Sequence, residues 1–201
     1  MIKNVVFDIG NVLTDWCWEK FLADKGFDDE MIKRIAKASI ETWYWHEYDR
    51  GELPFEEIMK GFISADPGIE SELHKAFDDM TGIVTGRDYA IPWIERIKKA
   101  GCRVYYLSNF SAKTADECRD ALNFIPHCDG GLLSCEVRLI KPDPAFYKTL
   151  CEKYSLNPEE CVFFDDLEKN IKAAKDCGFN AFVFTDPDKA NEDLRSLGVI
   201  V

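Results

Sequence analysis

The stretch VVFDIGNVLTDW, residues 5 to 16, carries an apolar run into an aspartate and then loosens into Ile-Gly-Asn. With Asn4 it opens NVVFDI (4–9), apolar on both faces, the pattern of a strand buried inside a parallel sheet. Four later runs repeat the pattern: RVYYLS (103–108), GLLSC (131–135), CVFFDD (161–166) and AFVFT (181–185). Between them lie segments of helical periodicity with readable ends. AIPWIERIKKA closes on Gly101, PAFYKTLCEKY starts after Asp143 with Pro144 as its first residue, and LEKNIKAAKDC closes on Gly178. Strand and helix in alternation give an α/β doubly wound parallel sheet of Rossmann-like form.

One interval breaks the alternation. From 16 to 86 the sequence reads helix after helix, as EKFLADKG, DDEMIKRIAKASIETWYWHEY, PFEEIMKGFISAD and IESELHKAFDDM, with no β-rich run among them. This implies a helical cap inserted after the first strand, with 1–15 and 87–201 forming the core domain. TGIVTGR, Thr81 to Arg87, carries two glycines and reads as the return linker. The aromatic cluster Trp43, Tyr44, Trp45 and Tyr48 is expected to form the interior of the helical piece. Over the mouth of a sheet, such a cap would shield a reacting substrate from water and select what enters.

Composition narrows the classes of function. A chain of 201 residues, 46% hydrophobic and 13% aromatic, can bury a full core. A net charge of −12 would repel nucleic-acid phosphates and anionic membrane surfaces, so neither is an expected partner. Eight cysteines show no CxxC pair and no zinc-ligand spacing, consistent with buried reduced thiols. No signal-like segment opens the chain, and no apolar stretch approaches the roughly 20 residues that span a bilayer. A cytoplasmic protein is the expectation; oligomeric state is open.

In an open parallel sheet, ligands sit outside the carboxyl ends of the strands. The first strand ends at Asp8, the second at Ser108 and Asn109, the fourth at Asp165 and Asp166, and Lys141 follows the third. Singly, each has an ordinary reading as a cap, a turn residue or a solvated charge. Together they place three carboxylates at adjacent strand ends, where they repel one another unless a cation or a proton relieves them. Magnesium suits hard oxygen ligands and keeps waters and a phosphate oxygen in its shell. Lys141 adds a second positive charge, with Ser108 and Asn109 as hydrogen-bonding groups for phosphate oxygens.

FDIGNVL (7–13), YLSN (106–109), IKPDPAFY (140–147) and VFFDDLEKN (162–170) together resemble the four ordered motifs of the haloacid dehalogenase-like (HAD) hydrolase superfamily. The resemblance is nearest to the subgroup of α-D-glucose-1-phosphate phosphatase and the amino-terminal phosphatase domain of epoxide hydrolase. It implies that Asp8 is the nucleophile and that Ser108, Asn109 and Lys141 hold the phosphoryl group. It further implies Mg²⁺ bound by Asp8, the Gly10 carbonyl and Asp166, with Asp165 water-linked or in support. The activity implied is magnesium-dependent hydrolysis of a small phosphomonoester, with sugar phosphates among the candidates, through an aspartyl phosphate.

Gly10 stands where most members of the superfamily carry a second aspartate that moves protons. Asp15 is the nearby carboxylate on the same loop, with surface solvation as its plain reading. Arg138 stands where the motif usually has glycine and is expected to face solvent. His46, Glu47 and Arg50 lie where a cap residue would reach the mouth, or on a solvated helix face. Two alternatives to the phosphatase remain: a metal-independent 2-haloacid dehalogenase, and a non-catalytic phosphate-binding protein that retains the site.

Overall fold

A computed structural model describes all residues from Met1 to Val201. β1 (Asn4–Phe7) is the centre of a five-stranded parallel sheet, flanked by β4 (Arg103–Ser108) and β6 (Cys161–Asp165), with β5 (Gly130–Leu133) and β7 (Asn180–Val183) outermost. Val5 and Phe7 point into one core layer and Val6 into the other, so a strand of four residues is apolar throughout. On one side α6 (Ala90–Lys99) and α11 (Pro187–Ser196) supply Trp93, Ile97 and Leu194. On the other, α9 (Pro144–Tyr154) and α10 (Glu168–Asp176) supply Phe146, Leu150 and Ala174. The Trp93 ring lies 4.5 Å from that of Phe7, and its indole N–H donates to Asn191 Oδ1 at 2.8 Å, so the largest buried ring leaves no donor stranded. This is the doubly wound Rossmann-like sheet that the alternating pattern implies.

Between β1 and α6 the chain builds α1 (Trp18–Asp24), α2 (Asp29–Ala38), α3 (Trp43–Arg50), α4 (Phe55–Ala65) and α5 (Glu70–Phe77). Two details differ from expectation. The interval is bracketed by a short antiparallel ribbon, β2 (Thr14–Trp16) against β3 (Val84–Gly86), so TGIVTGR contains a strand as well as a return path. Three residues per strand are too few for an alternating pattern to stand out. The long run DDEMIKRIAKASIETWYWHEY is also two helices. Ser39 Oγ donates back to the Ile35 carbonyl at 2.6 Å, and Thr42 is extended at φ −96° and ψ 163°, which ends α2 and starts α3.

The aromatic expectation holds for two of its four members. Trp45 and Tyr48 are buried, with Trp45 packed against Phe62 and Phe77, whereas Trp43 is 60% exposed and Tyr44 lies over Gly61 at partial burial. The spacing of α3 turns Trp45 and Tyr48 inward and sends Trp43 outward.

The inserted helices are tied to the core at the end of α3. Tyr48 Oη and Thr114 Oγ1 lie 3.0 Å apart, and Ser134 Oγ donates to the Asp49 carbonyl while accepting from Phe110 N at 2.8 Å. Gly51, left-handed at φ 71°, then brings the chain against Cys135, where a Cβ would stand 3.0 Å from that side chain. Removing the Ser134 hydroxyl strands a buried amide and frees this end of the helix. Ser134→Ala is therefore expected to cost about 1–3 kcal/mol, read by urea unfolding.

Candidate active site

Three strand ends and one loop deliver one cluster. Asp8 follows β1, its N–H still in the sheet pattern with Phe164 O at 2.8 Å, and its Oδ1 accepts from Ile9 N at 2.7 Å. Lys141 lies in the segment between α8 (Ser134–Val137) and α9, fully enclosed, with Nζ 2.7 Å from Asp8 Oδ1 and 2.6 Å from Asp165 Oδ2. Its backbone is clasped by Asn109, which accepts from Lys141 N at 2.7 Å and donates to Lys141 O at 3.1 Å. One hydrogen of the Asn109 amide remains for an oxyanion. Ser108 is buried beside Asp8, and its hydroxyl helps stabilise the carboxylate form.

Asp165 has no accessible surface. Besides Lys141 it receives the Leu167 N–H at 2.9 Å and the Asn170 amide at 2.9 and 3.0 Å, so both of its oxygens are engaged. Asp166 is less buried and is held by Asn11 Nδ2 at 2.9 Å. Asn11 sits left-handed at φ 57°, a conformation asparagine tolerates, and this turns its amide from the Asp8 loop towards Asp166. The carboxylates of Asp8, Asp165 and Asp166 can each present an oxygen within 4.8 Å of the others.

One ammonium among three carboxylates leaves negative charge uncompensated. Burial pushes Asp8 up to about 7, with Lys141 pulling it down and Asp165 pushing it further up. For Lys141, burial works against the charged form, but Asp165 and Asp8 outweigh it and the ammonium ends above its ordinary value. Burial also raises Asp166, opposed by the Asn11 hydrogen bond.

Asp8, Gly10, Ser108, Asn109, Lys141 and Asp166 face one cleft of ≈ 330 Å³, and Asp165 lies behind it in contact with Lys141. Gly10 lines it, and a Cβ there would meet nothing within 4 Å. Asp15 does not line it: Arg87 Nε binds its carboxylate at 2.7 Å and the same guanidinium holds the Asn11 carbonyl at 2.9 Å, so Asp15 braces the loop. The Arg138 side chain is 68% exposed, in keeping with solvent. Glu47 is buried in a pair with Arg50 at 3.0 Å, while His46 reaches the rim.

Asn11, Asn170 and Asp49 were not anticipated. Asn170 follows Asp165 by five residues, in the first turn of α10, a spacing that lets its amide fold back on the strand-end carboxylate. Asp49, on α3, has its carboxyl in the cleft, where burial pushes it up to about 7, Asp8 adds to the rise and Lys141 opposes it. The sequence points instead to its neighbours His46, Glu47 and Arg50, because a helix of unknown rotation does not declare which residue looks inward.

A family model for haloacid dehalogenase-like hydrolases matches residues 2–178. The chain belongs to that family. This HAD-like hydrolase is 25% identical to the bifunctional epoxide hydrolase 2 of Sus scrofa over 98% of its own length and 39% of the relative's. It is also 25% identical to D-ribitol-5-phosphate phosphatase of Bacteroides thetaiotaomicron, covering 100% of this chain and 99% of that protein. In fold, a HAD family enzyme of B. thetaiotaomicron, crystallised with magnesium and inorganic phosphate, superposes with a TM-score of 0.71 at 20% identity over 92% of this chain and 95% of that one. L-2-haloacid dehalogenase of Xanthobacter autotrophicus superposes at 0.66 and 17% identity over 100% of this chain and 85% of that one. The fold is thus shared by a HAD family enzyme that holds magnesium and inorganic phosphate and by a dehalogenase, and the choice between activities rests on the side chains. No helix of this HAD-like hydrolase is long and apolar enough to cross a membrane.

Proposed function

We propose that this hydrolase cleaves small phosphomonoesters with the help of magnesium, through attack of Asp8 on phosphorus. The observation that carries this reading is the buried Lys141 ammonium bridging Asp8 and Asp165 beside Asp166, a site built for a doubly charged anion and a cation together. The donor set fits magnesium. Asp8 and Asp166 offer hard oxygens, the Gly10 carbonyl borders the same cleft, and the buried Asn170 Oδ1 has no hydrogen-bond partner. When bound, the metal would neutralise phosphate charge and hold it for in-line attack. Asp165 is proposed to support this arrangement through Lys141.

The chain's own groups do the rest. Asp8, oriented by Ile9 N, supplies the attacking oxygen and forms an aspartyl phosphate as the ester oxygen leaves; water then attacks phosphorus and frees Asp8. Lys141, Ser108 and the spare Asn109 hydrogen steady the equatorial oxygens. Trp16, Ile40, Trp45, Val84 and Phe110 form the cleft's apolar lining. These walls would pack an apolar carbon skeleton, while His46, Ser111 and Thr114 in the same cleft offer hydrogen-bond partners to hydroxyls.

A panel of alkyl, aryl and sugar phosphomonoesters, each assayed with magnesium and with chelator, tests the reading. Turnover is expected with magnesium and should fall at least about 10²-fold under chelator, and the KM values across the panel rank the leaving groups the cleft accepts. Halide release from a 2-haloacid that persists in chelator would establish the dehalogenase instead. Phosphate binding without turnover of any ester would establish the non-catalytic reading.

A further inference from the structure

Breaking a phosphomonoester leaves an alkoxide, which is a poor leaving group unless it receives a proton as the bond breaks. The loop after Asp8 offers none, because Gly10 has no side chain. Six groups in the cleft can carry a proton: Asp8, His46, Asp49, Lys141, Asp166 and Lys169. Asp8 is taken up as nucleophile, and Lys141 is locked between two carboxylates. Asp166 is bound by Asn11 and belongs to the proposed metal site. His46 and Lys169 are exposed at the rim.

We infer that Asp49, on the inserted helix α3, is the catalytic acid and base of this hydrolase, standing in for the side chain that Gly10 lacks. This rests on the phosphatase reading above. The placement is fixed rather than incidental. The Tyr48 contact to Thr114, the Ser134 hydrogen bond to the Asp49 carbonyl and the close approach of Gly51 to Cys135 pin the carboxyl-terminal turn of α3 onto the core. Asp49 is thereby held in the same cleft as Asp8 and Lys141, close enough for both charges to act on it, but on a helix of the insertion instead of a strand end. Its carboxyl makes no hydrogen bond and no ion pair within the protein; only burial and the charges of Asp8 and Lys141 act on it. A carboxyl desolvated in the cleft, with no structural partner, is raised into the range where it can both give and take a proton near neutrality.

In the first step the Asp8 oxygen forms a bond to phosphorus while the ester P–O bond breaks; the bonding pair stays on the ester oxygen, which takes the Asp49 proton and departs as the alcohol. Asp49, now a carboxylate, removes a proton from the water whose oxygen attacks phosphorus; the bond from phosphorus to Asp8 breaks, phosphate leaves, and Asp49 is again protonated. The inserted helices then do more than shield the substrate, because turnover requires their carboxyl in place over the core.

The test compares wild type with Asp49→Asn and Asp49→Glu, with magnesium, on p-nitrophenyl phosphate and on a simple alkyl phosphate, following release of the first equivalent of alcohol and then the steady state. With Asp49→Asn the first equivalent of nitrophenol, an acidic leaving group, should appear within about tenfold of the wild-type rate, whereas that of the alkyl alcohol should slow by about 10²- to 10⁴-fold. The steady state should slow for both, since water is no longer deprotonated, and phosphoenzyme should accumulate from the aryl ester. Asp49→Glu should recover part of the alkyl rate, and Asp49→Asn should melt no lower than wild type. Equal slowing of both first equivalents, no slowing of either, or a marked fall in melting temperature for Asp49→Asn would overturn the assignment. Absence of ester hydrolysis by the wild type itself would overturn the phosphatase reading and this one with it.

Discussion

Asp8→Asn protein is expected to fold, to melt no lower than wild type in chelator, and to turn over phosphomonoesters about 10⁴-fold more slowly or worse. The amide is isosteric and keeps an oxygen for Ile9 N and Lys141, while its new N–H₂ faces a Ser108 hydroxyl that can accept. What disappears is the nucleophile. The stability side has a sign that can be checked. Burial first, then Asp165 against the pull of Lys141, raises the native Asp8 carboxyl from 3.8 to about 7, so the native state holds its proton more tightly than the unfolded chain. The resulting penalty is absent below pH 4, grows as pH rises through 4 to 7, and is complete above about 7. In chelator, Asp8→Asn should therefore gain melting temperature relative to wild type at pH 8, and the gain should shrink towards pH 5. Wild-type rates from purified Asp8→Asn would refute the nucleophile; a gain that grows on acidification would refute the electrostatic account.

Much of this site was legible because strand ends are legible. NVVFDI and CVFFDD, each an apolar run ending in acid, are readable as buried strands without knowing their partners, and the sheet rule places their ends together. Lys141 was constrained by Pro142 on one side and the Asp143–Pro144 helix start on the other, and the structure confirms that start, with Asp143 accepting from Ala145 N at 2.9 Å. Its aim at Asp8 could not be read, since it depends on the Asn109 clasp across 32 residues. Asn109 itself stands where the strand-end rule puts it, yet most of its hydrogen-bonding capacity goes to the Lys141 backbone instead of to the phosphate it was expected to face.

What the residues alone left hidden lies in the inserted helices. Asp49 belongs to WYWHEYDR, whose aromatic and charged residues suit more than one rotation of an amphipathic helix. Its rotation is settled by partners far along the chain: Tyr48 meets Thr114 over 66 residues, and Ser134 meets Asp49 over 85. Such contacts have no periodic signature. The β2–β3 ribbon escaped for a related reason, as two three-residue strands separated by five helices gain their meaning only when paired.

Lys141→Met is expected to be the most damaging single change to the fold around the site and to abolish turnover as well. The ammonium is 1% exposed at its side chain and lies 2.6 and 2.7 Å from two carboxylates, one of them with no accessible surface at all. Deleting one member of a buried charge set costs about 3–5 kcal/mol, chiefly because the charges left behind have no water to turn to. Asp165 would keep its Leu167 and Asn170 donors, but Asp8 would lose its nearest cation, and the protein would escape by protonating a carboxyl. Protonation of Asp8 silences the nucleophile, so stability and activity should fall together. Two further measurements separate this from simple unfolding. Magnesium should recover part of the lost melting temperature, since a divalent ion can stand among the same acids, yet should leave kcat low because the equatorial phosphate oxygens still lack their ammonium. Lys141→Arg should not rescue, since a planar guanidinium cannot take the place of a compact ammonium that contacts both carboxylates in a closed space. If Lys141→Met melted like wild type and kept its rate, the charge between Asp8 and Asp165 would be dispensable, and the anion site proposed here would lose its foundation.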